Sequence, residues 1–237
     1  MAALCLVPAG SNAGGGCLGE APTIVRGGGD DHIQGTQGND VIVAGGGDDF
    51  VAGGGGRDLI CAGDGKDFID GGKQDDEIDG GDGRDELHGY NGDDRILGGP
   101  GKDFLDGRRG HDLDVLIGGP GNDRALGGTI LRGGAGDDRL HSLSYARSRQ
   151  VDRVIGGAGD DTIRGDVGGG FGDVLSGGTG ADKLSGDAAD DRLRGGSGDD
   201  RLRGGDGDDR LDGGPDTDVC DQGDGTGPID NCELVPV

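Results

Sequence analysis

The stretch "GGSGDDRLRGGDGDDRLDGG", residues 195–214, states one nine-residue phrase twice. Each copy carries a glycine-rich run, a pair of aspartates, and a single leucine two places later. Like charge is gathered, while apolar material is rationed to one side chain per copy. A short phrase repeated at fixed period points to a stacked, quasi-one-dimensional chain rather than to a conventional core.

Worked outward, the phrase sets the register of most of the chain. Rows of nine begin at Arg26, Gly35, Ala44, Gly53, Ala62, Gly71, Gly80, Gly89 and Gly98, and fill 26–106 without a gap. An eleven-residue row, 107–117, precedes a regular one at 118–126. A short row, 127–132, is followed by a regular one at 133–141, a long row at 142–155, a regular one at 156–164 and a long one at 165–176. Five regular rows then run from 177 to 221.

In every regular row the sixth residue is aspartate: Asp31, Asp40, Asp49, Asp58, Asp67, Asp76, Asp85, Asp94, Asp103, Asp123, Asp138, Asp161, Asp182, Asp191, Asp200, Asp209 and Asp218. The irregular rows contain Asp112, Asp114, Asp152 and Asp173. The eighth residue is aliphatic, from Ile33 and Ile42 to Leu202 and Leu211, with Ala125 and Cys220 the exceptions in the regular rows.

Leu, Ile, Val and Phe together make 48 of 237 residues, and the formal charge is -25. That inventory borders on the disordered class, so something besides apolar burial must complete a fold. The acidic surplus, 47 Asp and Glu against 22 Lys and Arg, repels phosphate backbones and anionic lipid heads. Nucleic acid and membrane surfaces are therefore poor candidates as partners, with no nucleic acid expected, and no stretch reaches the ~20 apolar residues of a spanning helix. The surplus is nearly all Asp, whose short side chain holds its carboxylate near the backbone, which favours metal coordination over a solvated acidic tail.

The rows resemble the hemolysin-type calcium-binding repeat, the RTX nonapeptide G-G-x-G-x-D-x-U-x, across 26–221. The resemblance implies an all-β parallel β-roll with two rows per turn. The first six residues of a row would form a turn that binds Ca²⁺, and the last three a short strand. It also implies multiple calcium ions, each held between a row and the row two further on. The sixth-position aspartates Asp31 to Asp209 listed above, together with backbone carbonyls, would be the ligands.

The residue chemistry agrees with this. In a three-residue strand such as Arg201-Leu202-Arg203 the middle side chain faces inward and its neighbours face solvent. Ordering each backbone costs about 1–2 kcal/mol. Burying one Leu or Ile per row returns only about 1.5–3 kcal/mol. Calcium takes six to eight oxygens at about 2.3–2.6 Å, more than one loop supplies. Folding is thus expected to be coupled to calcium, at the ~10⁻⁴–10⁻³ M affinity of extracellular modules. The cations at the fifth position, Arg57, Lys66, Arg84, Lys102 and His111, read as outward charge relief, the alternative being that they weaken adjacent sites.

Residues 1–25 form a tail and N-terminal cap, and 222–237 a C-terminal cap. Residues 1–13 fit either a signal-peptide remnant, with Ser11-Asn12-Ala13 as a small-x-small cleavage site, or a floppy tail. If cleavage removes Cys5, four cysteines remain, and four allow three connectivities. Pairing Cys17 with Cys61 and Cys220 with Cys232 would close each end of the rod and fit an oxidising compartment, against a reading as buried free thiols.

His32, His88, His111 and His141 read as exposed spacers, and no nucleophile elbow or Ser/His/Asp set is visible. Because paired aspartates recur in every row, they mark no singular catalytic site, and the chain is expected not to be an enzyme. The interruption at 141–153 gathers Tyr145, Arg147 and Arg149 and is the candidate contact loop for a protein or glycan partner. Calcium sites bordering the interruptions are expected to be the weakest. The expected function is a secreted, extracellular bacterial calcium-binding module, structural or binding in role. The alternative is the calcium-binding C-terminal part of a secreted hydrolase, toxin or adhesin, whose catalytic part would lie beyond the 25 residues ahead of the repeats.

Overall fold

Alternation turns each phrase into a strand. The computed structural model describes residues 17–107, 113–143, 151–166 and 171–234. Strand Arg201–Asp206 shows the pattern, with Leu202 buried between exposed Arg201 and Arg203. A branched aliphatic residue in the middle place suits the pleat, and the flanking polar residues keep the outer surface wet.

Successive strands alternate between two 12-stranded parallel sheets, so two rows make one turn of a flattened coil. One sheet begins with Ile24–Val25, Val41–Gly46 and Leu59–Gly65, and the other with His32–Gln34, Phe50–Ala52 and Phe68–Lys73. At ~4.8 Å between paired strands, twelve layers make a rod of about 50 Å. The architecture is the parallel β-roll that the row pattern implies. The described residues contain no helix long and apolar enough to cross a membrane.

The strands are often longer than the three residues expected. Many run to six, such as Val174–Thr179 and Arg192–Ser197, and pair through the first residues of the next row, as Gly178 does with Gly196. Lacking Cβ, these glycines let neighbouring backbones keep pairing where the chain begins to turn. A Cβ on Gly63, at φ 122°, would lie 1.8 Å from the Gly45 carbonyl oxygen one layer away. In most regular rows the second and fourth places are left-handed, even where glycine is replaced, as at Tyr90 (φ 72°) and Gln74 (φ 67°).

The irregular rows do not disturb the register. Regular rows stack at an interval of 18 residues. The interval becomes 20 across 107–117, 15 across 127–132, 23 across 142–155 and 21 across 165–176. Each row thus absorbs its own excess or deficit. The inward file passes from Ile96 to Leu116, Leu131, Val154 and Leu175 in unbroken pairing.

This file makes most of the core, one inward side chain from each strand between Ile33 and Cys220, with Ala125 fully buried in its place and Ala44 and Ala62 buried beside Ile42 and Ile60. Ile24 packs against one end, and Ile229 and Cys232 against the other. The coil carries strand pairing to both sides of 26–221, with Ile24 beside Ile42 and Leu211 beside Ile229. Cys17 is bonded to Cys61 and Cys220 to Cys232, so each end of the file is stapled. Residues 1–13 with Cys5, the loop residues Tyr145, Arg147 and Arg149, and His111 and Asp112 lie outside the described residues.

Candidate metal centres

Two residues before each inward aliphatic stands the aspartate of the row, at the point where loop becomes strand. Stacking places these aspartates in two columns, one along each edge of the coil. The first holds Asp31, Asp49, Asp67, Asp85, Asp103, Asp123, Asp138, Asp161, Asp182, Asp200 and Asp218. In every step the backbone N–H of one aspartate donates to Oδ1 of the next, at 2.7–2.9 Å. No step is missing, although four irregular rows intervene.

The second column holds Asp40, Asp58, Asp76, Asp94 and Asp114, then Asp152, Asp173, Asp191 and Asp209. Between its two segments the short row 127–132 puts Thr129 in the aspartate's place. Backbone pairing continues there, with Thr129 N–H donating to the Asp114 carbonyl at 3.0 Å and Arg153 N–H to the Thr129 carbonyl at 2.9 Å. What the layer lacks is a carboxylate.

Every aspartate expected as a ligand falls in one of these columns. The structure adds Asp114, Asp152 and Asp173 from irregular rows and Asp218 from the last, all buried. The signal for the first three was present in the sequence. Each stands two residues before an inward aliphatic, as in Asp114-Val115-Leu116, whereas Asp112 does not.

Oδ1 is occupied by the neighbouring layer, but in most layers Oδ2 is not, the exceptions including Asp40 and Asp173, whose Oδ2 atoms accept from the Thr36 and Asp166 N–H groups. The Oδ2 atoms of Asp49, Asp58, Asp67, Asp76, Asp85, Asp103, Asp123, Asp138, Asp161, Asp182, Asp191, Asp200, Asp209 and Asp218 are buried without a hydrogen-bond partner. They turn back beneath their own loops, against the first glycine of the row. A Cβ on Gly133 would lie 2.0 Å from Asp138 Oδ2, and one on Gly186 2.2 Å from Asp191 Oδ2. In these rows the leading glycine gives the carboxylate its room, while Ala44 and Ala62 hold the same place in front of Asp49 and Asp67.

Burial, reinforced in most cases by neighbouring carboxylates and offset in part by the backbone N–H bond, raises many of the column acids. Asp58, Asp103, Asp161, Asp182 and Asp200 are pushed up to about 6. Asp67, Asp85, Asp138, Asp173 and Asp191 reach about 7, and Asp76 about 8. Buried carboxylates with an unpartnered oxygen lack counter-charge. The donors are all hard oxygens, which suits a divalent cation such as calcium. Among the described residues no three His, Cys, Asp or Glu side chains converge on one point, so loop carbonyls must complete any ligand set.

A second, exposed ladder runs outside the first. At the fifth position, Asp48 N–H donates to Asp30 Oδ1 and Lys66 N–H to Asp48 Oδ1, both at 2.9 Å, against the direction of the buried column. Where the fifth residue is a cation, no acceptor is offered to the next layer. Arg84 N–H and Lys102 N–H then turn to the Gly65 and Gly83 carbonyls, at 3.3 and 3.2 Å.

Two histidines depart from expectation. His32 is exposed, but His141 is half-buried, and so is His88 on the outer face of a sheet. Its Nε2 lies 3.1 Å from Glu86 Oε1, and its Nδ1 lies 3.7 Å from Asp106 Oδ2. It belongs to a ring ladder of His32, Phe50, Phe68 and His88, with centroids 4.6 to 5.2 Å apart. The Asp106 and Glu86 contacts hold its pKa above the usual imidazole range. An outward ring every second row was not sought in the sequence because the row consensus leaves that place open.

Two sheets, a one-residue-wide core and paired carboxylate columns define a β-roll built for cations. The sequence model of the RTX calcium-binding nonapeptide repeat family matches residues 26–60, 62–87, 79–113, 114–129, 125–143, 150–168, 167–202 and 185–220. The chain belongs to that family. No curated protein matches it. Among solved structures it is similar to the extracellular lipase LipA from Serratia marcescens, at 23% identity and a TM-score of 0.26. That alignment covers 65% of this chain and 32% of the lipase.

Proposed function

We propose that this chain is a secreted, non-catalytic calcium-loaded β-roll, whose ordering depends on the ions and which serves as a structural or binding module. The observation that carries the reading is the run of buried Oδ2 atoms without partners along both edges. In this reading the column aspartates Asp31 to Asp218 and Asp40 to Asp209 hold the ions, with carbonyls of two stacked loops completing each set. Bound calcium supplies the charge that cancels carboxylate repulsion between layers. The chain's part is to fix Oδ1 on a backbone N–H from layer to layer, leaving most Oδ2 atoms aimed under the loop and excluded from water. The two disulfides fit an oxidising compartment outside the cytoplasm. A tandem array repeats one arrangement in every layer, which supports a module without a catalytic centre. The test is circular dichroism of the whole chain at neutral pH, first in chelator and then in millimolar calcium. The β signal is expected to rise cooperatively with calcium. An identical spectrum in chelator would overturn the reading.

A further inference from the structure

The surface around the fifth position carries a feature that calcium does not explain. In a chain of formal charge -25, Lys66, Arg84 and Lys102 occupy the fifth place of three successive layers on one edge. Arg124 and Arg139, exposed in adjoining layers of the neighbouring sheet, line the same open groove. Among the described residues, Lys66, Arg84, Lys102 and Arg139 take part in no ion pair. Arg124 sits over the Phe104 ring, 5.4 Å from its centroid. The acids facing the groove are Glu86, which is engaged by His88, and Asp85, Asp103 and Asp123, which lie buried in the column behind it.

We propose that this groove binds a linear anionic polysaccharide, one carboxylate or sulfate to each layer of the coil. Charge complementarity supplies the attraction, and arginine forks pair two-pronged with planar or tetrahedral oxyanions. Spacing selects the polymer. Cations one layer apart repeat at ~4.8 Å, close to the advance of one sugar along an extended pyranose chain. An extended acidic peptide presents same-side residues about 6.6 Å apart and falls out of step. A single-stranded nucleic acid wants free ring faces for its bases. Here the aromatic ring of the groove, Phe104, has a face taken by Arg124. Neutral sugars lack the charge that the groove rewards. The distant acids oppose any polyanion, but at physiological salt they are screened beyond about 8 Å, while contacts inside the groove are not.

The test is calorimetric binding of the whole chain, in millimolar calcium, to polyuronate and sulfated glycan of defined length. Polyglutamate, single-stranded DNA and neutral dextran are run alongside. Wild-type protein is expected to bind at least one of the two glycans and to bind dextran undetectably. The double variant Lys66→Glu/Lys102→Glu should lose at least tenfold in affinity. Arg192→Glu/Arg194→Glu, exposed on the opposite sheet, should leave affinity unchanged. Circular dichroism establishes that each variant keeps the coil, and Lys66→Gln/Lys102→Gln replaces the reversal if it does not. Absence of glycan binding by the wild type, equal loss in both pairs, or equal affinity for DNA or polyglutamate would overturn the proposal.

Discussion

The two edges of this molecule are made from one phrase, yet they differ. Along one edge eleven aspartates pass a hydrogen bond from layer to layer without a gap, across rows of four abnormal lengths. Along the other the chain of carboxylates stops at Thr129 and starts again at Asp152. The core does not register the difference, since Leu131 beside Thr129 is as buried as any residue in the file. Strand pairing and cation-site chemistry are therefore separable. The row's eighth residue keeps the coil in register, and its sixth decides whether a layer carries charge that needs a partner.

The largest effect expected from that separation is on the metal-free chain. Buried column acids are raised above the usual carboxylate range, to about 6 in Asp103 and about 8 in Asp76. Between those limits the folded state binds more protons than the unfolded one, so stability falls as pH rises. The contribution is complete below about pH 4 and is lost as pH climbs through about 6 to 8. In chelator, then, β signal should be present near pH 4.5 and vanish by pH 8, protons standing in for calcium on both edges. A metal-free chain more ordered at pH 8 than at pH 4.5 would show that the Oδ2 atoms are not the source of the strain.

Next in size is damage to the unbroken column. Asp103→Thr copies the Thr129 layer onto the intact edge, removing the Oδ1 acceptor of the Asp85 N–H at 2.9 Å. Loss of a hydrogen bond to a charged acceptor costs about 1.5–3 kcal/mol. Gly133→Ala attacks the same edge from the loop side, because its Cβ would meet Asp138 Oδ2. Overpacking of that kind costs about 1–3 kcal/mol. Gly27→Ala, with nothing within 4 Å of the new atom, is the control. Urea midpoints in calcium should fall for the first two and hold for the third. Calcium stoichiometry should drop for Asp103→Thr.

How much of this was legible beforehand divides along the same line. The file of inward residues could be read from the period alone, since one aliphatic at a fixed place in each row admits one arrangement in a two-row turn. The aspartate columns were legible wherever the row is regular. They were missed at Asp114, Asp152 and Asp173 because counting from the row's start fails when the row has changed length. Counting back two residues from the inward aliphatic succeeds, as that distance is set by strand geometry and not by the loop. The division of labour between Oδ1 and Oδ2 was not legible, because it depends on a backbone N–H contributed 15 to 23 residues away. Nor was the reach of the strands into the glycines, whose pairing needs a neighbour in register. His88 was misjudged because its partners, Glu86 and Asp106, come from its own strand and from the strand one layer on.

The smallest effect, and the sharpest test of the comparison, is repair of the broken column. Thr129→Asp would put a carboxylate between Asp114 and Asp152 and make the second edge resemble the first. The layer already has its backbone bonds in place, at 3.0 Å from Thr129 N–H to the Asp114 carbonyl, so the coil need not move to receive the side chain. In chelator at pH 8 the added charge joins a repelling column, and the variant should be slightly less stable than the wild type. In calcium the sign should invert, with stoichiometry rising and the urea midpoint shifting upward. That inversion separates the two roles of the sixth residue. A stabilising effect in both conditions would mean that the aspartate serves only as a hydrogen-bond acceptor. A destabilising effect in both would mean that the short row cannot shape a site, and that the gap at Thr129 belongs to the loop rather than to the residue.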